Sequence, residues 1–208
     1  MDTLLKKYTR LYRLIATCVL AIPISSCGIN GSVRNTENAC SIFFEHHGAF
    51  NNWYKDTLKA SLRYDVPMPI ILATIKAESG FRPTVRTKWR KALGFIPLGH
   101  VSSAYGYAQA LNGTWQAYIQ STGNTYAIRS SYADAVDFIA WYYRRSMDYN
   151  GIDRNDAYHL YISYVMGWEA YKQVGDAGVT PKLKYTAMKV ANQAKIYREQ
   201  LSICIGGF

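Results

Sequence analysis

Helix patterns with recognisable start and stop signals follow one another along most of this sequence. Ser131 is a predicted N-cap, with Asp134 three residues further on, and Gly151 is the matching stop signal. Thr180 followed by Pro181 opens a long last helix. Apolar residues make up 49% of the chain and charged residues 18%, which is typical of a globular protein, and no convincing strand pattern or internal repeat is present. We therefore predict an all-α single domain of about six or seven helices.

One segment departs from this helical scheme. The range from Thr84 to Ser103 carries a basic run, followed by glycines and a proline. These residues disfavour a continuous helix, so we predict a long loop or flap that lies beside Glu78.

The N-terminal 26 residues have the composition of a cleaved export signal. Basic residues come first, and the apolar run from Leu14 to Ile24 that follows has eleven residues, too few to span a bilayer. The next residues, ISSC, resemble the bacterial lipoprotein box, in which an aliphatic and two small residues precede the cysteine that receives lipid. The resemblance predicts a signal peptide over 1–26 and a lipid on Cys27. An ordinary secretory signal cleaved nearby is the alternative.

The residues after Cys27 indicate where the mature protein lies. Gly28 rather than aspartate follows the cysteine, so the resemblance implies an outer-membrane lipoprotein of the cell envelope that faces the periplasm. Residues 27–39 are polar and contain glycine, and we predict that they form a tether between the membrane and a domain over 40–208. The leader holds four of the 24 basic and one of the 14 acidic residues, which leaves 20 against 13, or +7, in the mature chain. A basic surface of this kind favours an anionic partner.

Two cysteines remain in the mature domain when Cys18 of the leader and Cys27 are set aside. They are Cys40 and Cys204, which lie near the two ends of the domain. Because the compartment outside the cytoplasm is oxidising, we predict a disulfide between them. Two unrelated buried thiols are the alternative.

The stretch LATIKAESGFRP ends an apolar helix pattern on Glu78. A carboxylate at a helix C-terminus faces the negative end of the helix dipole, which disfavours its charged form. A glutamate in this position is usually a solvated cap residue, but it can also be an acid that the fold keeps protonated. Two later stretches bear on this choice: Gly106-Tyr107-Ala108-Gln109, and YISYVMGW, which contains Tyr164.

Taken in order, these stretches resemble the three motifs of the lysozyme-like lytic transglycosylases. The family motifs are Glu-Ser, then Gly-Leu-Met-Gln, then Ala-Tyr-Asn-Ala-Gly, and the resemblance covers Pro67 to Trp168. It implies a lysozyme-like fold with an active-site groove. Tyr107-Ala108 replaces the usual Leu-Met, and both residues that flank Tyr164 also differ from the family pattern. These departures put the groove floor and the substrate preference in question.

The resemblance also implies an activity. The family cleaves the β-1,4 bond between N-acetylmuramic acid and N-acetylglucosamine in peptidoglycan glycan strands, without a cofactor, and leaves a 1,6-anhydro end. Glu78 would act first as acid and then as base, because the 6-hydroxyl of the sugar itself attacks. Ser79 would hydrogen-bond sugar substituents, and Tyr164 would bond to Glu78 and orient it. Gly106 and Gln109 would line the groove wall.

Two tyrosines are candidate substrate contacts on their own chemistry. Tyr105 and Tyr107 flank Gly106, and a tyrosine ring has a flat apolar face on which a sugar can stack. Simple packing explains both residues equally well.

Two other functions remain open. A hydrolase needs a second carboxylate, and Asp134, Asp137 and Glu169 are the nearest acids by motif. Exposed helix faces or caps account for all three, but one of them facing Glu78 would favour a hydrolytic muramidase of the goose-type lysozyme kind. A peptidoglycan-binding lipoprotein that has lost activity is the third candidate.

No metal site or nucleic-acid partner is predicted. His46 and His47 lie beside Glu45, but no further ligand stands at metal spacing. The basic run around Trp89 suits a lip that meets anionic peptidoglycan, or a plain solvated loop, because an exported chain rarely meets nucleic acid. The sequence leaves open whether an envelope or secretion machine is a partner.

Overall fold

The computed structural model describes residues 33–49, 51–92 and 96–207. The predicted signal peptide and Cys27 lie outside these residues. Within them, no helix is long and apolar enough to cross a membrane.

The described residues form eight α-helices and one short hairpin, which confirms the predicted all-α class. The elements are α1 (Ala39–Glu45), α2 (Trp53–Tyr64), α3 (Met68–Ser79), β1 (Trp89–Ala92), β2 (Ile96–His100), α4 (Asn112–Thr122), α5 (Tyr132–Asn150), α6 (Ala157–Met166), α7 (Trp168–Val174) and α8 (Pro181–Cys204). Two 3₁₀ turns cover Asp176–Gly178 and Ile205–Gly207.

The helix ends follow local chemistry. The Ser131 hydroxyl accepts a hydrogen bond from the backbone N–H of Asp134, and Gly151 ends α5 in the left-handed conformation with a φ of 70°. Thr180 caps α8 in the same way as Ser131 caps α5. The helix count exceeds the predicted six or seven because α1 was not expected and Gly167, with a φ of 93°, separates α6 from α7.

Helix α3 is the most buried element and organises the core. Met68 to Ile75 are all buried, and the helix packs against α8 on one side and against α2 and α5 on another. Inside this core the Thr74 hydroxyl donates to the Ile70 carbonyl and is also hydrogen-bonded to the Tyr143 hydroxyl, so both buried hydroxyl groups have partners. The end of α3, which carries Glu78, is therefore held by three other helices.

The two ends of the domain are joined. Cys40 and Cys204 form a disulfide, which confirms the predicted pairing. Residues 33–38 belong to the predicted tether but make specific contacts with the domain. Val33 is buried, the Tyr197 hydroxyl donates to the Thr36 carbonyl, and Glu37 forms an ion pair of 2.6 Å with Lys76. Residues 33–38 are therefore attached to the domain.

The segment predicted as a long loop contains a β-hairpin. Strands β1 and β2 pair antiparallel, with Trp89 opposite His100 and Ala92 opposite Ile96, and the register is irregular near Lys91. Backbone bridges between Arg86 and Tyr105 and between Tyr105 and Ala110 continue the extended structure next to the hairpin. The described part of this segment is therefore paired structure rather than a free loop.

Candidate active site

Glu78 lies in the last turn of α3, where two residues in unusual backbone conformations end the helix. Gly80 has a φ of 59°, and the next residue, Phe81, has a φ of 60° and is completely buried. The Phe81 ring packs on Trp53 with 6.0 Å between the ring centroids. This turn fixes the direction in which the chain leaves the helix, and Glu78 lines a groove at that point.

The groove has a volume of about 390 Å³ and two unlike walls. We call one the helical wall: it consists of Glu78 from α3, Phe138 and Tyr142 from α5, and Tyr164 from α6. We call the other the extended wall: it consists of Thr87, Ala104, Gln109 and Ala110. Leu111, Thr114 and the stretch Val165 to Gly167 complete the lining.

The environment of Glu78 favours its protonated form. Burial raises the pKa of Glu78 to about 7, and a hydrogen bond from Tyr161 opposes part of that rise. Burial and the nearby Glu78 charge both raise the pKa of Tyr143, of Tyr161 and of Tyr164. These phenols therefore stay neutral and supply no charge to Glu78.

The tyrosine that bonds to Glu78 is not the predicted one. The Tyr164 hydroxyl donates to the Ala108 carbonyl at 2.6 Å, whereas Tyr161, one turn earlier on α6, is hydrogen-bonded to Glu78. A phenol has one hydrogen to donate, and Tyr164 uses it to join α6 to the extended segment. The motif pointed to Tyr164, but residues three apart on a helix share a face, so helical spacing could have suggested Tyr161.

Gly106 and Gln109 shape the extended wall. Gly106 has a φ of 81°, and a Cβ atom there would lie 2.0 Å from the Arg129 carbonyl oxygen, so only glycine fits. The Gln109 amide donates to the carbonyls of Val85 and Gly106 at 3.0 and 2.8 Å. Gln109 lines the groove as predicted, whereas Gly106 acts through the backbone behind it.

Ser79 is buried rather than open to a sugar, and Tyr107 follows the packing alternative rather than the stacking one. Ser79 is 2% exposed, and its hydroxyl donates to the Ile75 carbonyl in the preceding turn. Tyr107 is 3% exposed and packs edge-on against Trp53 and Tyr132, with 5.7 Å between centroids in both pairs. Tyr107 therefore belongs to the core, because two large rings enclose it, and its face is not available to a sugar.

No second acid among the described residues reaches the groove. Asp134 accepts hydrogen bonds from the Asn124 side chain and from the backbone N–H of Ile128, both in the segment that precedes α5. Asp137 accepts from Tyr64 and Tyr118, and Glu169 is exposed on α7. Among the described residues that line the groove, Glu78 is the only acidic one.

The arrangement fits one kind of chemistry. A protonated carboxylic acid in a partly apolar groove can give its proton to a leaving oxygen near neutral pH. The part of the chain that the structure describes contains no group of His, Cys, Asp or Glu that could hold a metal ion. The helical fold and the buried glutamate at the groove are typical of lysozyme-like sites that cleave glycans.

Comparison with known families leads to the same class. The family described as the Transglycosylase SLT domain matches residues 15–204, so the chain belongs to this family of lysozyme-like lytic transglycosylases. No curated protein matches the sequence significantly. The family as a whole acts on peptidoglycan.

Proposed function

We propose that this protein is a peptidoglycan lytic transglycosylase that cleaves the β-1,4 bond between N-acetylmuramic acid and N-acetylglucosamine and forms 1,6-anhydro ends. The observation that carries the proposal is that Glu78 has a pKa raised to about 7 and is the only acid among the described residues that line the groove. A transglycosylase needs one carboxyl group, whereas a hydrolase of the usual type needs two.

In the proposed reaction Glu78 serves twice. Its carboxyl proton passes to the glycosidic oxygen as the bond from that oxygen to the muramic acid C1 breaks, and positive charge develops on the sugar ring. The resulting carboxylate then removes the proton from the 6-hydroxyl of the same muramic acid. The 6-oxygen bonds to C1, which closes the anhydro ring and returns Glu78 to its protonated form without consuming water.

The surroundings of Glu78 suit both steps. A pKa near the working pH lets one group donate and then accept a proton at similar cost. The hydrogen bond from Tyr161 stabilises the carboxylate that exists between the two steps. Tyr161 is therefore a positioning residue for Glu78.

The test is the nature of the product ends. Purified sacculi are incubated with the mature protein or with its Glu78→Gln variant, and soluble products are identified by mass spectrometry. We expect anhydro-ended muropeptides from the wild type and a rate at least about 1,000-fold lower from the variant, since the acid is lost. Glu169→Gln, a change on the exposed surface of α7, is the matched control and should cleave like the wild type.

Two results would replace the proposal. Reducing ends in place of anhydro ends would show that water attacks and that the protein is a hydrolytic muramidase. Tight binding to sacculi without any product would show a peptidoglycan-binding protein that has lost activity.

We also infer that the mature protein is an outer-membrane lipoprotein facing the periplasm. The basic and apolar leader and the ISSC stretch that ends at Cys27 support this. An acyl chain contributes about 0.8 kcal/mol for each buried CH₂, so several chains on one cysteine anchor stably. We expect Cys27→Ser to leave the membrane fraction and to lose incorporation of labelled palmitate. A variant that stays acylated would point to another attachment site.

A further inference from the structure

We propose that Arg86 and Arg129 form a binding site for the carboxylates of peptidoglycan stem peptides, on the side of the extended wall that faces away from the groove. This inference rests on the proposed function, because it names the form of peptidoglycan that the enzyme prefers. The substrate would be glycan that still carries its peptides.

The two guanidinium groups share one aromatic ring. Arg86 lies over the Tyr105 ring at 4.2 Å from its centroid, and Arg129 contacts the same ring at 5.3 Å. One Nη atom of Arg129 also donates to the carbonyls of Ser103 and Ala110, both at 2.8 Å. The Arg129 side chain is therefore fixed, and the ring brings Arg86 next to it.

The charge of this pair is not neutralised within the described part of the chain. No described acidic side chain forms an ion pair with either arginine. Burial lowers the pKa of Arg129, and the charge of Arg86 lowers it further. Two cations held together in this way repel each other, and an anion between them would remove the repulsion.

Neither arginine lines the groove in which the glycan would lie. Thr87 and Ala104 line the groove, and their chain neighbours Arg86 and Tyr105 pair with each other across a backbone bridge. Successive side chains of extended backbone point to opposite faces, so Arg86 and Tyr105 lie on the outer face of the wall. A group that reaches them must cross the rim of the groove from a sugar bound inside.

Stem peptides meet this requirement. Each is attached to the lactyl group of a muramic acid, and it carries free carboxylates along its length and at its end. A planar guanidinium matches a carboxylate with two parallel hydrogen bonds, which makes arginine better suited than lysine to this task. Fully extended, a peptide of four residues reaches about 14 Å.

Binding gives the first test. The Glu78→Gln protein, which cannot cleave, is titrated by calorimetry with a disaccharide–tetrapeptide muropeptide and with the same disaccharide lacking the peptide. We expect the peptide to improve the dissociation constant about tenfold, and Arg86→Gln to remove that gain without changing affinity for the bare disaccharide. Lys182→Gln removes an exposed positive charge from α8 and is the matched control, which should retain the gain.

Turnover gives the second test and separates this proposal from the proposed function. Arg86→Gln should be about tenfold less efficient than wild type on intact sacculi and equal to it on sacculi stripped of peptides by an amidase. An equal loss on both substrates, or a peptide that brings no gain in binding, would overturn the stem-peptide site. Absence of cleavage by wild type would overturn the proposed activity, whereas the calorimetric result would still decide the site.

Discussion

One wall of the groove is carried by helices α3, α5 and α6, whereas the facing wall is carried by extended segments that backbone hydrogen bonds hold together. The helical wall presents large side chains, namely Glu78, Phe138, Tyr142 and Tyr164. The extended wall presents small or amide side chains and depends on contacts such as those from Gly106 to Val85 and from Tyr107 to Arg129. Chemistry and shape are therefore supplied by different parts of the molecule.

This difference predicts how each wall responds to mutation. A change on the helical wall alters which protons are bound and where, while the core beneath it holds the helices in place. A change on the extended wall alters the backbone path, because few side chains stabilise it. The three predictions below test this contrast, beginning with the largest effect.

Gly106→Ala should break the extended wall. The new Cβ would lie 2.0 Å from the Arg129 carbonyl oxygen, and the residue must also keep a φ of 81°, so the backbone has to move. We expect a loss of about 4 kcal/mol in the free energy of unfolding, measured by urea denaturation.

Gly123→Ala is the control for Gly106→Ala. Gly123 has a φ of 71°, but a Cβ there meets nothing within 4 Å. Gly123→Ala should lower the free energy of unfolding by about 1 kcal/mol, which is the strain of the backbone conformation alone. Similar losses at the two positions would show that the close approach to Arg129 does not hold the wall.

Glu78→Gln should stabilise the protein at alkaline pH, in contrast to its effect on turnover. The folded-state pKa of Glu78 is about 7, above the ordinary 4.5, so the folded state binds the proton more tightly than the unfolded state does. Stability due to this group is therefore complete below pH 4.5 and is lost as the pH rises to 7. The loss amounts to about 3 kcal/mol, which the variant escapes.

The measurement is the unfolding free energy of both proteins between pH 4 and pH 8. We expect the unfolding free energy of the variant, relative to that of the wild type, to rise by about 3 kcal/mol between pH 4 and pH 8. A difference that does not change with pH would mean that Glu78 has the same pKa in the folded and the unfolded protein.

Tyr161→Phe and Tyr164→Phe should show that the two tyrosines have different roles. Tyr161 orients the acid Glu78, whereas Tyr164 attaches α6 to the extended wall. The bond from Tyr161 lowers the pKa of Glu78, so its loss should move the alkaline limb of the activity profile upward by about one pH unit. Tyr164→Phe loses the bond to the Ala108 carbonyl and should leave this limb in place. A shift in Tyr164→Phe alone would restore the role that the motif implied.

The sequence predicts the helical part of the fold because its signals are local. Ser131, Gly151 and Thr180 act within one helical turn, and all three work in the structure as their types suggest. The hairpin escaped prediction because its strands have four and five residues, too few to display alternation among basic residues and a proline. The break at Gly167 escaped because a single glycine inside an apolar helix pattern is tolerated at about 1 kcal/mol.

The role of a site residue can be predicted from the sequence when that residue carries the chemistry itself. The role is harder to predict when packing against distant residues determines whether the side chain is exposed. Glu78 followed from its motif and from the helix end on which it stands. Tyr107 occupies a motif position, but its burial depends on Trp53 and Tyr132, which come from distant parts of the chain. A tyrosine suits a groove and a core equally well, so its type alone could not decide.

The contacts of residues 33–38 would limit the distance between the domain and a membrane that holds the proposed lipid. With the proposed lipid on Cys27, six Cα steps separate the anchor from Val33, the first described residue, which is buried in the domain. A chain of this length spans at most about 20 Å, compared with about 40 Å for a leash that ran to Ala39. The contacts of residues 33–38 with the domain would thus shorten the arm, and the enzyme would reach only those glycan strands that pass close to the lipid surface.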